Sequence, residues 1–230
     1  MTDQVSISPW PLSDRFRRVL LVGGTFDPPH SAHVRMVEAL RAARFPDAAI
    51  VFVPAAVSPF KMQRAGTDPA DRSKMIALAA ANVANAAVWS DEIDRARSGE
   101  PSFMIDTMRR LRQIAPHVTP ILVIGSDQAQ SFHRWRAPRE ILQLAELVVL
   151  PREPIGGRDA LEEAMRASEF WTPDELKIWV ESMADVPTDA LSSTRIRERI
   201  ALEGVDALDP QDIDPQVAAF IRAKGLYARV

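Results

Sequence analysis

The sequence contains no cysteine, which excludes disulfide bonds and thiolate metal sites. It also lacks a strong charge of either sign, since 28 basic and 31 acidic residues leave a net charge of −3, whereas a general nucleic-acid binder carries a basic excess. Its most apolar long segment, residues 75–89, is interrupted by asparagines and is too short to span a bilayer. These absences favour a cytoplasmic protein with neither a nucleic-acid nor a membrane partner, and they leave homo-oligomer formation open.

The first part of the chain differs from the rest in pattern. Residues 1–17 have no continuous apolar run, and Pro9 and Pro11 interrupt them, so they do not resemble a signal peptide. We expect residues 1–17 to be a flexible extension. The sequence is 47% hydrophobic, which is ample for a core, and residues 18–230 contain no linker long enough to separate two domains. A single domain is therefore expected over residues 18–230.

Short apolar runs alternate with segments of helical periodicity along the chain. Buried strands are predicted at residues 19–22, 50–53, 87–89, 121–124, 147–150 and 177–183. Asp68 followed by Pro69 predicts the start of a helix, and Gly225 predicts the end of the final helix, residues 215–224. Because the strands are almost wholly apolar, we predict an α/β fold with a doubly wound, Rossmann-like parallel sheet. In such a sheet ligands bind beyond the carboxyl ends of the strands.

The stretch around which the chain is organised is residues 23–33, Gly-Gly-Thr-Phe-Asp-Pro-Pro-His-Ser-Ala-His. It follows the first predicted strand and precedes a helix, so it is a strand-to-helix loop. Gly23 and Gly24 let the backbone come close to a ligand, and the two prolines stiffen the turn. Ser31 is the expected N-cap of the helix.

His30 and His33 lie at the end of this loop. His33 lies in the first helical turn, where free backbone N–H groups and the positive end of the helix dipole favour phosphate. Two imidazoles beside such an anion site indicate phosphate chemistry. The alternative is that His33 is a packed core residue, because it shares a helix face with Val37 and Leu40.

Two other groups of polar residues mark helices. Residues 192–194, Ser-Ser-Thr, open a later helix, and such hydroxyls are equally explained as simple caps. Arg197, one turn further, adds a guanidinium fork suited to phosphate. Arg109, Arg110 and Arg112 lie on the outer side of a predicted helix over residues 103–115, and we interpret them as a solvated surface.

Residues 23–33 resemble the nucleotide-binding signature of the nucleotidylyltransferases related to class I aminoacyl-tRNA synthetases. The Phe-Asp-Pro-Pro-His form is most similar to the bacterial nicotinate-mononucleotide adenylyltransferases. Residues 91–107, 124–142, 192–197 and 217–227 resemble further segments of that family, in the same order. The resemblance thus covers nearly the whole chain from Leu20, which makes it far more specific than one motif.

This resemblance implies a nucleotidylyltransferase that transfers the adenylyl group of ATP to nicotinate mononucleotide in NAD biosynthesis, giving nicotinate adenine dinucleotide and pyrophosphate. Mg²⁺, bound mainly through the ATP phosphates, is the expected cofactor. Catalytic roles are implied for His30, His33 and Arg197. The residues implied at ATP are Gly23, Gly24, Thr25, Phe26, His30, His33, Ser193, Thr194 and Arg197.

The residues implied on the mononucleotide side are Thr25, Lys61, Ile105, Asp127, Trp135 and Arg136. Trp135 would stack on the pyridine ring, while backbone N–H groups near Ile105 and Arg136 would meet the carboxylate, which only accepts hydrogen bonds. Asp127 is a candidate for a ribose or substrate hydrogen bond, or alternatively an acidic cap of the turn that follows it. Arg136 either bonds the carboxylate or is a solvated loop arginine.

The sequence departs from the family pattern at three positions. Phe60 precedes Lys61 where the family usually has histidine, Phe103 stands where tyrosine is common, and Arg136 stands where an aromatic residue is frequent. These departures leave the phosphate chemistry intact and concern the recognition of nicotinate.

Other functions fit the residues less well. A dinucleotide oxidoreductase would carry G-x-G-x-x-G in the first loop, which is absent. A class I synthetase would be much longer, and residues 72–75, Arg-Ser-Lys-Met, resemble its lysine-rich signature only by chance, inside a predicted helix. The closest alternative is a sister adenylyltransferase acting on nicotinamide mononucleotide or phosphopantetheine. An alternative of another class is a catalytically silent nucleotide sensor, which would release no pyrophosphate from ATP.

Overall fold

The computed structural model describes residues 8–57, 66–96 and 102–228. Within these ranges, five strands form one sheet of order β3-β2-β1-β4-β5 in which all neighbouring pairs are parallel. The strands are β1 (Arg18–Gly24), β2 (Ala49–Pro54), β3 (Ala86–Val88), β4 (Thr119–Gly125) and β5 (Glu146–Leu150). The predicted α/β fold with a parallel sheet is confirmed.

Ten α-helices lie in the described ranges: α1 (Ser31–Arg44), α2 (Pro69–Ala79), α3 (Asp91–Arg95), α4 (Met104–Ile114), α5 (Ser126–Gln130), α6 (Pro138–Leu144), α7 (Arg158–Arg166), α8 (Pro173–Ser182), α9 (Ser193–Glu203) and α10 (Pro215–Lys224). The predicted helix start at Asp68 is confirmed, since its carboxylate accepts the Ala70 N–H at 2.7 Å. Gly225 ends α10 in the left-handed conformation, as predicted. No helix of the described residues is long and apolar enough to cross a membrane.

Helices cover both faces of the sheet. Because successive side chains of a strand point to opposite faces, Val19 and Leu21 pack with α4, α6, α7 and α8, whereas Leu20 and Val22 pack with α1 and α2. A third cluster, centred on Met75 of α2, holds α9 and α10 against the rest of the protein. A single domain over residues 18–230 remains the prediction.

The prediction of a last strand at residues 177–183 is wrong, because residues 177–182 belong to α8, and Met183, its C-cap, forms an isolated bridge with Val149. Thr172 and Glu175 form a reciprocal cap at the helix start: the Thr172 hydroxyl accepts the Glu175 N–H, and the Glu175 carboxylate accepts the Thr172 N–H. The buried residues Leu176 and Trp179 are three apart, which is the helical spacing. The helix start signal lies just before the apolar run and decides its conformation.

Residues 8–17, part of the expected flexible extension, contact the rest of the protein. Both the backbone N–H and the hydroxyl of Ser8 donate to the Asp94 carboxylate. The Trp10 ring packs edge-on against Trp89, with ring centroids 5.1 Å apart. The segment is therefore packed on the domain, because its tryptophan finds an apolar partner there; residues 1–7 lie outside the described ranges.

Candidate active site

A cleft of about 940 Å³ opens at the carboxyl ends of the strands. It lies between β1 and β4, where the strand order reverses, which is the usual ligand position in a doubly wound sheet. All nine residues predicted at ATP line this cleft: Gly23, Gly24, Thr25, Phe26, His30, His33, Ser193, Thr194 and Arg197. The structure thus brings together two segments, residues 23–33 and 192–197, that are far apart in sequence.

The loop after β1 is shaped by Phe26, whose side chain is 2% exposed. Phe26 has a left-handed backbone with φ of 50°, which turns its ring back over the loop. A Cβ atom on Gly24 would lie 2.8 Å from this ring, so only glycine fits there. The ring also packs edge-on against His33, with ring centroids 5.2 Å apart. Gly24 therefore makes room for the aromatic side chain that supports His33.

His30, and not Ser31, is the N-cap residue of α1. The His30 backbone N–H donates to Nδ1 of His33 at 3.1 Å, so the His33 side chain satisfies a group that a helix start leaves unpaired. Ser31 is the first helical residue, and its hydroxyl donates to the Gln211 carbonyl at 2.5 Å. A neutral His33 whose Nδ1 accepts carries its proton on Nε2, which makes that nitrogen a hydrogen-bond donor.

The His30 ring lies beside His33, with ring centroids 3.8 Å apart, and is 1% exposed. Burial, assisted by the positive charge of Arg152, lowers the pKa of His30 to about 4, so the ring is neutral at pH 7. Neither ring nitrogen has a hydrogen-bond partner among the described residues. Leaving a buried imidazole without a hydrogen-bond partner costs free energy in the folded state. A ligand in the cleft that His30 lines would supply such a partner.

The hydroxyl groups at the start of α9 can be interpreted either as helix caps or as part of a phosphate site, and their hydrogen bonds distinguish the two. Ser192 is a cap, since its hydroxyl accepts the backbone N–H of Arg195 at 3.3 Å. The Ser193 hydroxyl instead donates to the Pro28 carbonyl at 2.9 Å. Arg197 donates to the Asp27 carbonyl at 2.5 Å and to the Thr194 hydroxyl at 3.1 Å. The second helix start is thus tied directly to the loop after β1.

Asp127 lines this cleft and is not part of the smaller cavity described below. It lies in the first turn of α5, whose N-cap position is Gly125, so Asp127 is not the cap that the alternative interpretation proposed. Its carboxylate lies 3.6 Å from the guanidinium of Arg152. Sequence reasoning missed Arg152, although it lies two residues beyond the end of β5 and therefore had to lie at this edge of the sheet.

The charges around the cleft are mainly positive. Three arginines, Arg134, Arg152 and Arg197, line it, and Asp127 is the acidic lining residue among the described ones. The starts of α1 and α9 add the positive ends of two helix dipoles. This combination suits a polyanion such as a triphosphate.

A second cavity of about 120 Å³ shares the wall formed by Gly23, Gly24 and Thr25. Its lining includes Glu92, Ser102, Phe103, Met104, Trp135 and Arg136. The Trp135 ring is supported from behind by Phe132, stacked with ring centroids 4.6 Å apart. The Arg136 guanidinium lies 5.0 Å from the centre of the Phe103 ring. The cavity is a small aromatic slot next to the polar cleft, suited to a flat ring.

The mononucleotide residues implied by the resemblance are only partly brought together here. Trp135 and Arg136 line the small cavity, and Thr25 lines both cavities. The Ile105 side chain is fully buried in the core, so only its backbone N–H, near the start of α4, remains a candidate. Lys61 lies outside the described residues.

A buried acidic pair lies behind the small cavity. Burial raises the pKa of Glu92 to about 7, and its carboxylate accepts the Ser102 hydroxyl at 2.5 Å. Asp91 is fully buried and pairs with Arg95 at 2.9 Å and Arg110 at 2.8 Å. The interpretation of Arg110 as solvated surface is therefore wrong, because it neutralises a buried carboxylate that periodicity alone does not reveal.

The sheet and the two cavities define a Rossmann-like nucleotidyltransferase. Residues 21–199 match the protein family described as cytidylyltransferase-like. A probable nicotinate-nucleotide adenylyltransferase of Neisseria meningitidis serogroup C is 30% identical over 93% of this chain and 100% of its own length. One of Chromobacterium violaceum is 33% identical over 91% of this chain and 98% of its own. The chain belongs to the nicotinate-nucleotide adenylyltransferase family.

The fold is also similar to solved structures. The Plasmodium falciparum nicotinic acid mononucleotide adenylyltransferase complexed with NaAD matches with a TM-score of 0.66 and 14% identity, covering 92% of this chain and 97% of the other. The same enzyme complexed with APC matches with a TM-score of 0.65 and 15% identity, with the same coverage. At this identity the match concerns the fold.

Proposed function

We propose that this chain, working in the cytoplasm, transfers the adenylyl group of ATP to nicotinate mononucleotide, forming nicotinate adenine dinucleotide and pyrophosphate. The observation that carries the proposal is the shared wall of Gly23, Gly24 and Thr25 between a basic cleft and an aromatic slot. If the triphosphate of ATP lay in the cleft and the pyridine ring of the mononucleotide lay in the slot, the phosphates of the two substrates would meet at this wall. The substrates in the names of its relatives have this chemistry.

In the proposed reaction an oxygen of the mononucleotide 5′-phosphate attacks the α-phosphorus of ATP. A new P–O bond forms, and the bond from the α-phosphorus to the oxygen bridging to the β-phosphorus breaks, releasing pyrophosphate. The attacking phosphate is already an anion at neutral pH, so it needs no general base. Catalysis then consists of positioning and charge stabilisation.

His33 is assigned to the developing charge: because its Nδ1 accepts the His30 N–H, a neutral His33 ring carries its proton on Nε2, which is a donor. His30, buried and neutral, offers its unpartnered ring to the same phosphates. Ser193, Thr194 and Arg197 form the opposite wall at the start of α9. The guanidinium of Arg197 adds a fixed positive charge there.

We propose that Mg²⁺ arrives as part of the substrate MgATP. The described residues contain no group of three or more histidine, aspartate or glutamate side chains placed to hold a metal ion. Asp127 is the acidic side chain of the described cleft lining, and it already lies 3.6 Å from Arg152. We therefore assign no metal ligand among these residues.

On the mononucleotide side, Trp135 is assigned to stacking on the pyridine ring and Thr25 to the shared wall. The nicotinate carboxylate is assigned to the Ile105 N–H and to Arg136, since these groups only donate. Asp127, from the cleft, is assigned to the mononucleotide ribose. Lys61 is retained as a candidate from the family resemblance alone.

The test is pyrophosphate release from ATP with nicotinate mononucleotide, nicotinamide mononucleotide or phosphopantetheine, each with Mg²⁺ and with EDTA. We expect turnover with Mg²⁺ and a kcat/KM that favours nicotinate mononucleotide. A ratio near one, or one that favours the amide, would contradict the substrate assignment. No pyrophosphate with any acceptor would favour the nucleotide sensor, and undiminished turnover in EDTA would contradict the role of Mg²⁺.

A further inference from the structure

Arg72, near the start of α2, is 3% exposed and donates four hydrogen bonds to backbone carbonyls. Its Nε donates to the Thr67 carbonyl at 3.0 Å. Its Nη1 donates to the carbonyls of Thr25 and Ala55, both at 2.7 Å, and its Nη2 to that of Ala56, also at 2.7 Å. All four acceptors are neutral peptide oxygens.

Burying a cation in this way has a cost. Burial lowers the pKa of Arg72, although nearby acidic groups, Asp27 first among them, oppose the shift. An apolar side chain of similar size would avoid this cost but would leave the four carbonyls without their donors. The guanidinium offers something else, because its planar fork fixes the spacing of several acceptors at once.

Two of the four carbonyls, those of Thr25 and Ala55, belong to residues that line the cavities. Thr25, in the loop after β1, lines both cavities. Ala55, directly after β2, lines the small cavity, and Thr67 precedes α2. Arg72 therefore joins the loop after β1 to both ends of the connection between β2 and α2.

The same connection is held from its other side. The Ala56 N–H donates to the hydroxyl of Ser102 at 3.3 Å, and that hydroxyl donates to the Glu92 carboxylate. Arg72 and Ser102 thus bind opposite polar groups of Ala56, its carbonyl and its N–H. Both interactions are buried, which leaves the backbone at this position little freedom.

We propose that Arg72 is a positioning residue that fixes the wall shared by the two cavities and thereby sets the distance between the bound ATP and the bound mononucleotide. This inference rests on the proposed function. The rate of a transfer between two bound phosphates depends steeply on their separation, since a misplacement of about 1 Å can cost about a hundredfold in rate. Of the residues expected at ATP, Arg72 donates to Thr25 and to none at the starts of α1 and α9, so we expect the affinity for ATP to change less than the rate.

The experiment compares Arg72→Lys with the parent enzyme, well below the melting temperature of each. Lysine keeps the charge, but its three donors extend from one point and cannot reach four carbonyls. We expect kcat with both substrates saturating to fall about tenfold or more, while KM for ATP changes less than about threefold. Methylguanidinium should restore part of the kcat of Arg72→Ala, whereas methylammonium should not.

Arg199→Lys is the matched control. Arg199 also donates to a backbone carbonyl, that of Ala207 at 2.7 Å, and lies outside the linings of both cavities. Its replacement should lower the melting temperature and leave kcat within about twofold, since an exposed side chain of this kind contributes to stability alone.

A kcat of Arg72→Lys within twofold of the parent value would overturn the inference. If Arg72→Lys does not fold, Arg72→Gln takes its place, and failure of both to fold while Arg199→Lys folds would mean that Arg72 serves folding instead. A parent enzyme without turnover would contradict the proposed function and this inference with it. A parent with normal turnover and unaffected variants would contradict this inference alone.

Discussion

The polar side chains proposed to bind the ATP phosphates come mainly from two helix starts, those of α1 and α9, whereas the small cavity is assembled from side chains of several separate segments. All nine residues expected at the cleft line it. Of the six expected on the mononucleotide side, Thr25, Trp135 and Arg136 line the small cavity. Phosphate recognition depends on local geometry at a helix start, which short motifs encode. A ring pocket depends on which distant side chains the fold brings together.

The largest expected effect is in the cleft. His33→Ala removes the Nε2 donor together with the acceptor of the His30 N–H, so we expect kcat to fall about a hundredfold to a thousandfold. Steady-state kinetics with circular dichroism as a folding check measures this. His117→Ala is the control, because this histidine faces Asp14 at 3.6 Å, away from both cavities. Near-normal turnover of folded His33→Ala would mean that His33 does not stabilise the developing charge. The assignment of the phosphate chemistry to the cleft would then fail.

The next effect concerns stability behind the small cavity. Burial raises the pKa of Glu92 from 4.5 to about 7, so the folded state keeps the proton to a higher pH than the unfolded state. The stability that Glu92 contributes is therefore fully present below about pH 4.5 and is lost as the pH rises through about 7. The loss is on the order of 3 kcal/mol, at 1.36 kcal/mol per pKa unit.

Glu92→Gln should remove this part of the pH dependence, since glutamine still accepts from Ser102 and does not ionise. Urea unfolding between pH 4 and 8 measures the free-energy difference between parent and variant. Glu140→Gln is the control: a hydrogen bond from Arg109 lowers the pKa of Glu140, so its removal acts in the opposite direction and at lower pH. If the free energy of unfolding varied with pH in the same way in the parent and in Glu92→Gln, the pKa of Glu92 would not be raised in the folded protein.

A smaller effect is expected at the second helix start of the cleft. Arg197→Lys keeps the charge but loses the fork that reaches Asp27 and Thr194, so kcat/KM for ATP should fall about tenfold. Arg195→Lys, on the same helix turn but directed to the Ala190 carbonyl, is the control and should change little. Equal kinetics of the two variants would place α9 outside the site.

The smallest effect tests the small cavity. Arg136 is largely exposed, so its bond to the nicotinate carboxylate contributes about 1 kcal/mol at most, which is about fivefold. We expect Arg136→Gln to lower the ratio of kcat/KM for nicotinate over nicotinamide mononucleotide by that factor. Arg139→Gln, which removes an ion pair with Glu175, should leave the ratio unchanged. An unchanged ratio in Arg136→Gln would mean that backbone N–H groups recognise the acid.

The sequence predicted most of the sheet, because a strand covered on both faces must be apolar at every position. The strand prediction failed at α8, because a short apolar run fits both a strand and a helix. The cap formed by Thr172 and Glu175 decides for the helix. Sequence reasoning failed again at Arg110, whose place on a helix face gave no sign of the buried Asp91 that it neutralises.

The sequence by itself determined the conformation of the loop proposed to bind phosphate, residues 23–33, since the Gly-Gly turn, Phe26 and the two histidines interact within one strand-to-helix connection. Only the tertiary structure decided the roles of Arg72, Glu92 and Arg152. Arg72 looked like an ordinary helical residue, yet it joins carbonyls of Thr25 and Ala56. The physical reason is that neighbouring residues determine the local backbone geometry, whereas the partner of a buried charge depends on how distant segments pack.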